Sequence, residues 1–521
     1  MRRMTEVSVC MLLSVLVVST TVLAGESPAL IRQFLKLDIM LAQTGLNQPP
    51  TVPPSGTVSL SLRDSIALAL QNNLAIQVEG FNPQLRDQAL IGEKAVFDPS
   101  AFLELTRTDN RAPAASTYFL PGEQLSDLWD YNVGLRQKLP TGGTFEFRFN
   151  NEYGNLPLAS PPTTSFSSRL GLTLTQPLLK NFGFEPNETN IRIATNNQGI
   201  SREQLRLRVS AVVTNVKEAY FDLIFAQENL NVQNQSLRLA RELVELNTAR
   251  VHAGVAPPVE VTQAEAQEAA QVQNVILAEK AIQDAEDNLK VIVNLPLSGG
   301  WDQRIQPSEA PSLEVKPVNL EGAVQKALEN RYEYRSAKLD IENKELSVRL
   351  SRNQLLPDLS LTGTVFTNGA RQLYGSDISE TGTGQFISYS VGVVLTVPLG
   401  NRAAQSSFLQ SKLALEQAKT SLKSLELQII QQVRQVVRQL EADAKRIDAN
   451  RAARILAEYQ LEMEQRRLQA GVSTTFNVLS FQRDLAAAQA NEFHAITDYN
   501  KDLAELDNVL GTVLERNRIE M

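Results

Sequence analysis

Ala69-Leu70-Gln71-Asn72-Asn73 returns later in the chain as Ala327-Leu328-Glu329-Asn330-Arg331. The same separation links Phe97-Asp98-Pro99 with Leu355-Leu356-Pro357. Downstream, Thr175-Gln176-Pro177-Leu178 answers Thr396-Val397-Pro398-Leu399. Ala253-Gly254-Val255 then answers Ala470-Gly471-Val472, and Glu260-Val261 answers Asn477-Val478. Matches that keep one order mark an internal duplication, so the object to explain is a single repeat. The copies cover 59–295 and 319–515. A leader, 25–58, carrying Pro49, Pro50, Pro53 and Pro54, precedes them. A Pro/Gly-rich connector, 296–318, separates them, and a short tail, 516–521, follows.

Each copy has the same internal grammar. A short helical stretch leads to a Pro marker, then strands, a second Pro, one very long helix, a Gly turn and a shorter helix. Between Asn187 and Ala253 the only Gly or Pro is Gly199, and between Asn401 and Ala470 there is none. At ~1.5 Å per residue, helices over 187–253 and 401–470 are each about 100 Å long. Ile429, Val433, Val436, Leu440, Ala444 and Ile447 keep 3- and 4-residue steps, as do Leu205, Val209, Val212, Val216, Tyr220 and Leu223. That is coiled-coil spacing, and Gln, Glu, Arg and Lys on the other faces can meet water. The return helices, 259–295 and 472–510, are about half as long. The stretches near 60–97 and 320–356 supply the missing half, which predicts an antiparallel bundle with each long helix against two short ones.

The segments between the helices alternate with period two. In copy one, where the strands fall within about 101–177, Tyr131, Val133, Leu135, Gln137 and Leu139 alternate with polar residues and Gly134. Phe145, Phe147 and Phe149 do the same. In copy two, within about 358–398, Tyr389, Val391, Val393 and Leu395 alternate with small and hydroxyl residues, apart from Val394. Lengths of ~9–11 residues suit tilted strands crossing a bilayer. Four to six strands cannot close a barrel, and an open edge in lipid leaves backbone groups unsatisfied. Membrane strands here therefore require copies arranged in a ring and sharing one barrel. The fold class is an internally duplicated α+β membrane protein. A long antiparallel α-helical coiled-coil barrel is continuous with a transmembrane β-barrel shared between protomers.

The N-terminus agrees. Arg2 and Arg3 precede an apolar run from Val9 to Val18, then Val22-Leu23-Ala24 with small residues suited to cleavage. Residues 1–24 are a secretory signal peptide, with an uncleaved anchor as the alternative. The single cysteine, Cys10, lies within it, so the mature chain needs no disulfide or thiolate metal site. A formal charge of −8 argues against nucleic acid as a partner.

These residues resemble the TolC family of outer-membrane efflux and secretion channels. The resemblance covers essentially the whole chain after the leader. It is carried by the two copies, the strand exits Gln176-Pro177-Leu178-Leu179 and Val397-Pro398-Leu399-Gly400, the stretch Glu218-Ala219-Tyr220 and the two Ala-Gly-Val turns. It implies a homotrimer in the outer membrane. Four strands per protomer would form a twelve-stranded barrel above an α-helical barrel and an equatorial collar. It also implies helical tips that close the channel and meet a periplasmic adaptor coupled to an inner-membrane transporter. Copy one departs from this pattern by offering up to four strands. The preferred reading is an extra hairpin in the external loop, and the alternative is eighteen strands per trimer.

The family's acidic constriction falls here on Asn477 and Ser480, which are uncharged, so a carboxylate ring and its cation selectivity are in doubt. Asn477 either lines the mouth or caps the returning helix. Glu260 occupies the matching place in copy one, either paired with Arg466 or Arg467 or as a solvated surface charge. Gly254 and Gly471 reverse the chain, and their neighbours Ala253, Val255, Ala470 and Val472 are candidate adaptor-docking residues. No HExxH, G-x-S-x-G or phosphate-binding loop occurs, and two histidines, His252 and His494, are too few for a histidine-rich metal site. The expectation is therefore no enzyme and no cofactor. It is a channel-tunnel exporting small molecules or proteins in a tripartite efflux or type I secretion system. The competing class is a periplasmic coiled-coil scaffold or adaptor with a soluble β domain.

Overall fold

The computed structural model describes residues 56–113, 123–156, 163–295, 301–312, 314 and 317–521. Residues 1–24, read above as a signal peptide, most of the leader and part of the connector lie outside them.

Strand β1 (Thr57–Leu60) leads into helices α1 (Leu62–Asn72) and α2 (Leu74–Lys94). The break between the helices falls in the repeated stretch. Asn73 leaves helical geometry and its side chain accepts from the backbone N–H groups of Ala75 and Ile76 at 2.9 and 3.2 Å, an N-cap. In copy two the matching Arg331 caps nothing with its side chain. There Gly511 lies so close that a Cβ would come within 2.9 Å of Asn330. Both copies bend at one place by different means.

Four strands follow: β2 (Ser100–Pro113), β3 (Glu123–Lys138), β4 (Thr144–Leu156) and β5 (Thr163–Pro177). Helix α3 (Phe184–His252) then runs unbroken for 69 residues, with Pro186 tolerated in its first turn because N–H groups there have no intrahelical partner. Helix α4 (Val259–Val293) returns, and β6 (Arg304–Pro307) pairs in parallel with β1. Copy two continues with α5 (Leu320–Asn330), α6 (Tyr332–Asn353), β7 (Asp358–Arg371), α7 (Tyr374–Thr383) and β8 (Ile387–Thr396). It ends with α8 (Arg402–Gln469), α9 (Thr475–Val509) and the short α10 (Val513–Arg516).

The long helices stand in a single layer. Next to the sheet the order of neighbours is α2–α3–α6–α8, and toward the far end it is α4–α3–α9–α8. The short helices α2 and α4 thus share one position beside α3, while α6 and α9 share another. Buried side chains form three clusters along this wall. One joins Val213, Val216, Tyr220 and Leu223 to Leu60 and Ile305 of the β1–β6 pair, with Leu514 and Ile519 from the chain's end. The second holds Ile429, Val433 and Leu440 against Ala327 and Tyr499. The third, toward the far end, binds the hairpins of the two copies together through Leu243, Ala264, Leu461, Leu468 and Val478.

The six longer strands form one sheet in the order β2-β3-β4-β5-β7-β8, antiparallel throughout. This corrects the reading of β3 and β4 as a hairpin in the external loop. Their connecting turn lies at the helix end of the sheet, where Thr141 Oγ1 donates to Gln176 Oε1 at 2.8 Å and Gly183 N–H donates to the Thr141 carbonyl at 3.0 Å. Gly142, at φ +89°, sits where a Cβ would come 2.1 Å from the Asn181 carbonyl, so the turn is seated in the root of α3. Both strands therefore run the depth of the sheet.

Pairing register sorts the side chains cleanly. Leu103, Val133, Phe149 and Leu170 lie in one row, and Leu135, Phe147, Leu172, Val365 and Tyr389 in another, all on one face. Trp129, Tyr153 and Phe166 make an aromatic row near the outer end of that face, with Tyr374 of α7 against Phe166. The opposite face is polar. Arg136 pairs with Glu146 at 2.8 Å, Arg148 with Glu146 at 3.1 Å, and Thr173 meets Thr364 at 3.4 Å.

Candidate functional site

The two far turns are built alike. In the first, Val255 N–H donates to the Arg250 carbonyl at 3.0 Å and Gly254 N–H to the Val251 carbonyl at 2.9 Å. In the second, Val472 N–H donates to the Arg467 carbonyl at 3.0 Å and Gly471 N–H to the Leu468 carbonyl at 3.1 Å. This is the Schellman pattern, which needs a left-handed residue, and Gly254 and Gly471 have φ of 74° and 77°. Ala253, Gly254, Val255, Ala470, Gly471 and Val472 are all exposed. Val259 and Phe476 beside them are also exposed, extending an apolar surface that water alone would not favour.

Behind the turns the two hairpins are joined by a polar cluster. Glu260 pairs with Arg250 at 3.0 Å, each side chain being 18% exposed. The hydroxyl of Thr475, on the copy-two return helix, reaches Glu260 Oε2 at 2.8 Å and Asn247 Oδ1 at 3.2 Å. Asn247 Nδ2 donates to the Glu260 carbonyl at 3.2 Å, and both Asn247 and Thr475 are buried. Within the protomer Glu260 therefore does not pair with Arg466 or Arg467. Those arginines sit on α8 and are taken by their own helix, Arg466 by Glu462 at 2.5 Å and Arg467 by Glu464 at 3.1 Å. Nor does Asn477 cap the return helix. That place belongs to Thr474, while Asn477 lies inside the first turn, exposed, its amide donating to Ser473 Oγ at 3.3 Å. Ser480 lies one turn on, half-buried.

Arg250, Asn247 and Thr475 were missed by sequence reasoning. A signal existed for Asn247, which continues the buried stripe of Ser236, Ala240 and Leu243. A polar residue at such a seam position must find a partner.

Nearer the sheet a second cluster links α8, α9 and α3. Arg446 bridges Asp443 at 3.2 Å and Asp498 at 2.5 Å; His494 meets Asp498 at 2.6 Å, and Lys501 contacts Asp222. Burial, then the hydrogen bond that the protonated acid makes to Asp443 and the charge of Asp443, push the Asp502 carboxyl up to about 8. Glu218 is raised chiefly by burial, then by Glu505 and Asp222. Tyr220 beside it donates its hydroxyl to the Leu60 carbonyl at 3.1 Å, tying α3 to the β1–β6 pair. Among the described residues no group of His, Cys, Asp and Glu could hold a metal ion, and no helix is long and apolar enough to cross a membrane.

Residues 122–295 and 323–512, more than half of the chain, match the family described as Outer membrane efflux protein, one stretch for each copy. The chain belongs to that family. Its relatives include the outer membrane efflux protein BepC of Brucella suis, 26% identical over 340 residues, which is 64% of this chain and 70% of BepC. The outer membrane protein TolC of Vibrio cholerae is 23% identical over 60% of this chain and 70% of its own. The crystal structure of VceC from Vibrio cholerae superposes with a TM-score of 0.63 at 16% identity, covering 86% of this chain and 96% of that one. At such identity the superposition speaks for the fold alone: a long helical wall continuous with an antiparallel sheet.

Proposed function

We propose that this chain is one protomer of a homotrimeric outer-membrane channel-tunnel. It would carry small molecules or proteins to the exterior from an inner-membrane transporter and its periplasmic adaptor. The observation that carries this reading is that the wall has two open sides. On one side α2 stands on β2, and on the other β8 leads into α8. A free sheet edge exposes unpaired backbone groups, which lipid cannot satisfy. The helical edges match the need. Helix α2 exposes Leu74, Val78, Phe81 and Leu85 at steps of four, three and four, while α8 exposes Leu409, Leu413 and Leu427. Stripes of that spacing pack as a coiled-coil seam when α8 of one copy lies on α2 of the next.

The sheet's two faces fit a barrel wall. From the Trp129 row to the Phe145 row is about 27 Å along a strand, or about 21 Å at a tilt of about 40°, close to the apolar band of an outer-membrane barrel. Arg107 and Arg371 stand on this face level with Trp129 and Phe166, where lipid headgroups would begin. A soluble β domain would leave the whole face in water. The polar face, with its paired charges and Ser/Thr rows, would line the bore. At the far end the exposed Val255, Val259, Val472 and Phe476 offer an adaptor its contact. The cluster of Glu260, Arg250, Asn247 and Thr475 would hold the hairpins of each protomer together near the mouth, with Asn477 and Ser480 facing the opening.

The reading predicts a protein that leaves the membrane only with detergent. Native mass spectrometry should then find three copies, and negative-stain images a particle well over 100 Å long. A stable monomer or a compact particle overturns it.

A further inference from the structure

We propose that the sheet closes by pairing β8 of one copy with β2 of the next, so that three copies share an eighteen-stranded barrel as wide as the helical tunnel beneath it. The inference rests on the trimeric reading above and fixes what kind of outlet that trimer has.

The first support is strand sense. In an unbroken antiparallel order of six, β2 runs away from the helices and β8 runs back toward them. The free edges of two copies therefore meet antiparallel, and the alternation continues around the ring without a parallel junction. The apolar face is continuous across that junction. Leu103 and Leu105 on β2, and Tyr389, Val391, Val393 and Leu395 on β8, are exposed on the same side of the sheet.

The second support is arc length. Strands about 4.8 Å apart and tilted about 40° each occupy about 6.3 Å of circumference, so six take about 38 Å. The four helices joined to them, α2, α3, α6 and α8, lie side by side, and at 8–10 Å between axes they take about 32–40 Å. The strand layer and the helix layer of one protomer thus subtend equal arcs, and the wall passes from one to the other without a taper. Four strands would span only about 25 Å over the same four helices.

The turn between β3 and β4 makes this match possible. It adds two strands without adding a helix, because residues 139–143 close the chain at the junction. There Leu139 N–H donates to the Gly143 carbonyl at 2.7 Å, and Gln176 Nε2 donates to the Thr141 carbonyl at 3.0 Å. Three copies give a backbone diameter of about 36 Å, against about 24 Å for twelve strands. The outlet is then no narrower than the tunnel, and the limiting diameter lies elsewhere.

The test uses the full chain in outer membranes on a Cys10→Ser background, which leaves no native cysteine. Single cysteines replace Asn132 and Asn150 on the polar face, and Val133, Leu135 and Phe149 on the apolar face of β3 and β4. A water-soluble maleimide should modify Cys at the first two positions and spare the other three, which should react only with a lipid-soluble reagent. Because a substitution can disturb folding, the unmodified protein in nanodiscs is also imaged by cryo-EM, and a section through the barrel should show eighteen strands. Native mass spectrometry gives the copy number separately. A trimer with twelve strands, or with all five positions open to the water-soluble reagent, overturns the inference and leaves the channel standing. A ring of any other copy number overturns the strand count, and a protein extracted without detergent overturns both readings.

Discussion

Thr475→Val isolates the link between the two hairpins. The substitution keeps the side chain's shape and removes only the hydroxyl, which lies 2.8 Å from Glu260 Oε2 and 3.2 Å from Asn247 Oδ1. The Glu260–Arg250 pair is left within its own hairpin. A hydrogen bond to a charged group contributes about 1.5–3 kcal/mol, and the partial exposure of this carboxylate argues for the lower end. A loss of about 1.5 kcal/mol raises the proportion of protomers with parted hairpins roughly tenfold, and about a thousandfold if three tips part in concert. In planar bilayers the variant should show larger or more frequent openings than the parent channel. Glu260→Ala should do the same, with the added cost of an Arg250 left without its partner. The double variant should fall short of the sum, because both changes cut one link. Parent-like conductance in Thr475→Val, or strict additivity with Glu260→Ala, would refute a role for this cluster in closure.

Asn477→Asp with Ser480→Asp should create block by a trivalent cation applied from the periplasmic side, where the parent channel shows little; strong block of the parent would place the constriction at other residues. Asp502 has a carboxyl raised to about 8, above its ordinary value, so it binds a proton in the folded state that the unfolded chain has released. Its contribution to stability is full below about pH 4 and lost as the pH rises toward 8. Asp502→Asn should flatten that loss in thermal melts of the detergent-solubilised protein, and an unchanged pH profile would refute the assignment. Val78→Asp with Leu85→Asp should place charge in the α2 seam and yield monomers in native mass spectrometry, whereas intact rings would show that the seam lies elsewhere.

Most of the fold was legible because it is repetitive. The 3- and 4-residue spacing picks out Val209, Val212, Val216, Tyr220 and Leu223, which are buried in α3, and Ile429, Val433, Leu440 and Ile447, which are buried in α8, whereas Leu205, Val436 and Ala444 of the same stripes are only half-buried and Val437 and Asp443 take the buried places in α8. Local rules sufficed there, since helix period and chain reversal are set within a few residues. What stayed hidden depends on contacts between segments far apart in sequence. The turn at Pro140-Thr141-Gly142-Gly143 would read the same at either end of the sheet, and only its fit against Gln176 and Asn181 shows which end it occupies. The tip behaved likewise. Glu260 was visible as a matching position, but its partners come from a residue ten positions earlier and from the other copy. The strand count was further obscured by resemblance, which supplies four strands per protomer and makes any surplus look like decoration.

The proposed wide outlet also constrains where this channel can discriminate. At physiological ionic strength a fixed charge is felt over about 8 Å. In an eighteen-stranded bore the axis lies about 18 Å from the backbone, so charges on the polar face barely reach the middle. Several of those charges are also compensated in place, Arg136 by Glu146 and Arg148 by Glu146 and Glu104, as Arg107 is by Asp127 on the other face. Selectivity must then arise where the walls come within about one screening length, and the far turns are where the helices end. There Asn477 and Ser480 carry no charge, Glu260 is neutralised by Arg250, and Arg466 and Arg467 by Glu462 and Glu464. On the proposed reading a mouth so balanced would discriminate weakly between ions, and selection of the cargo would fall to the partners proposed to dock on the tips.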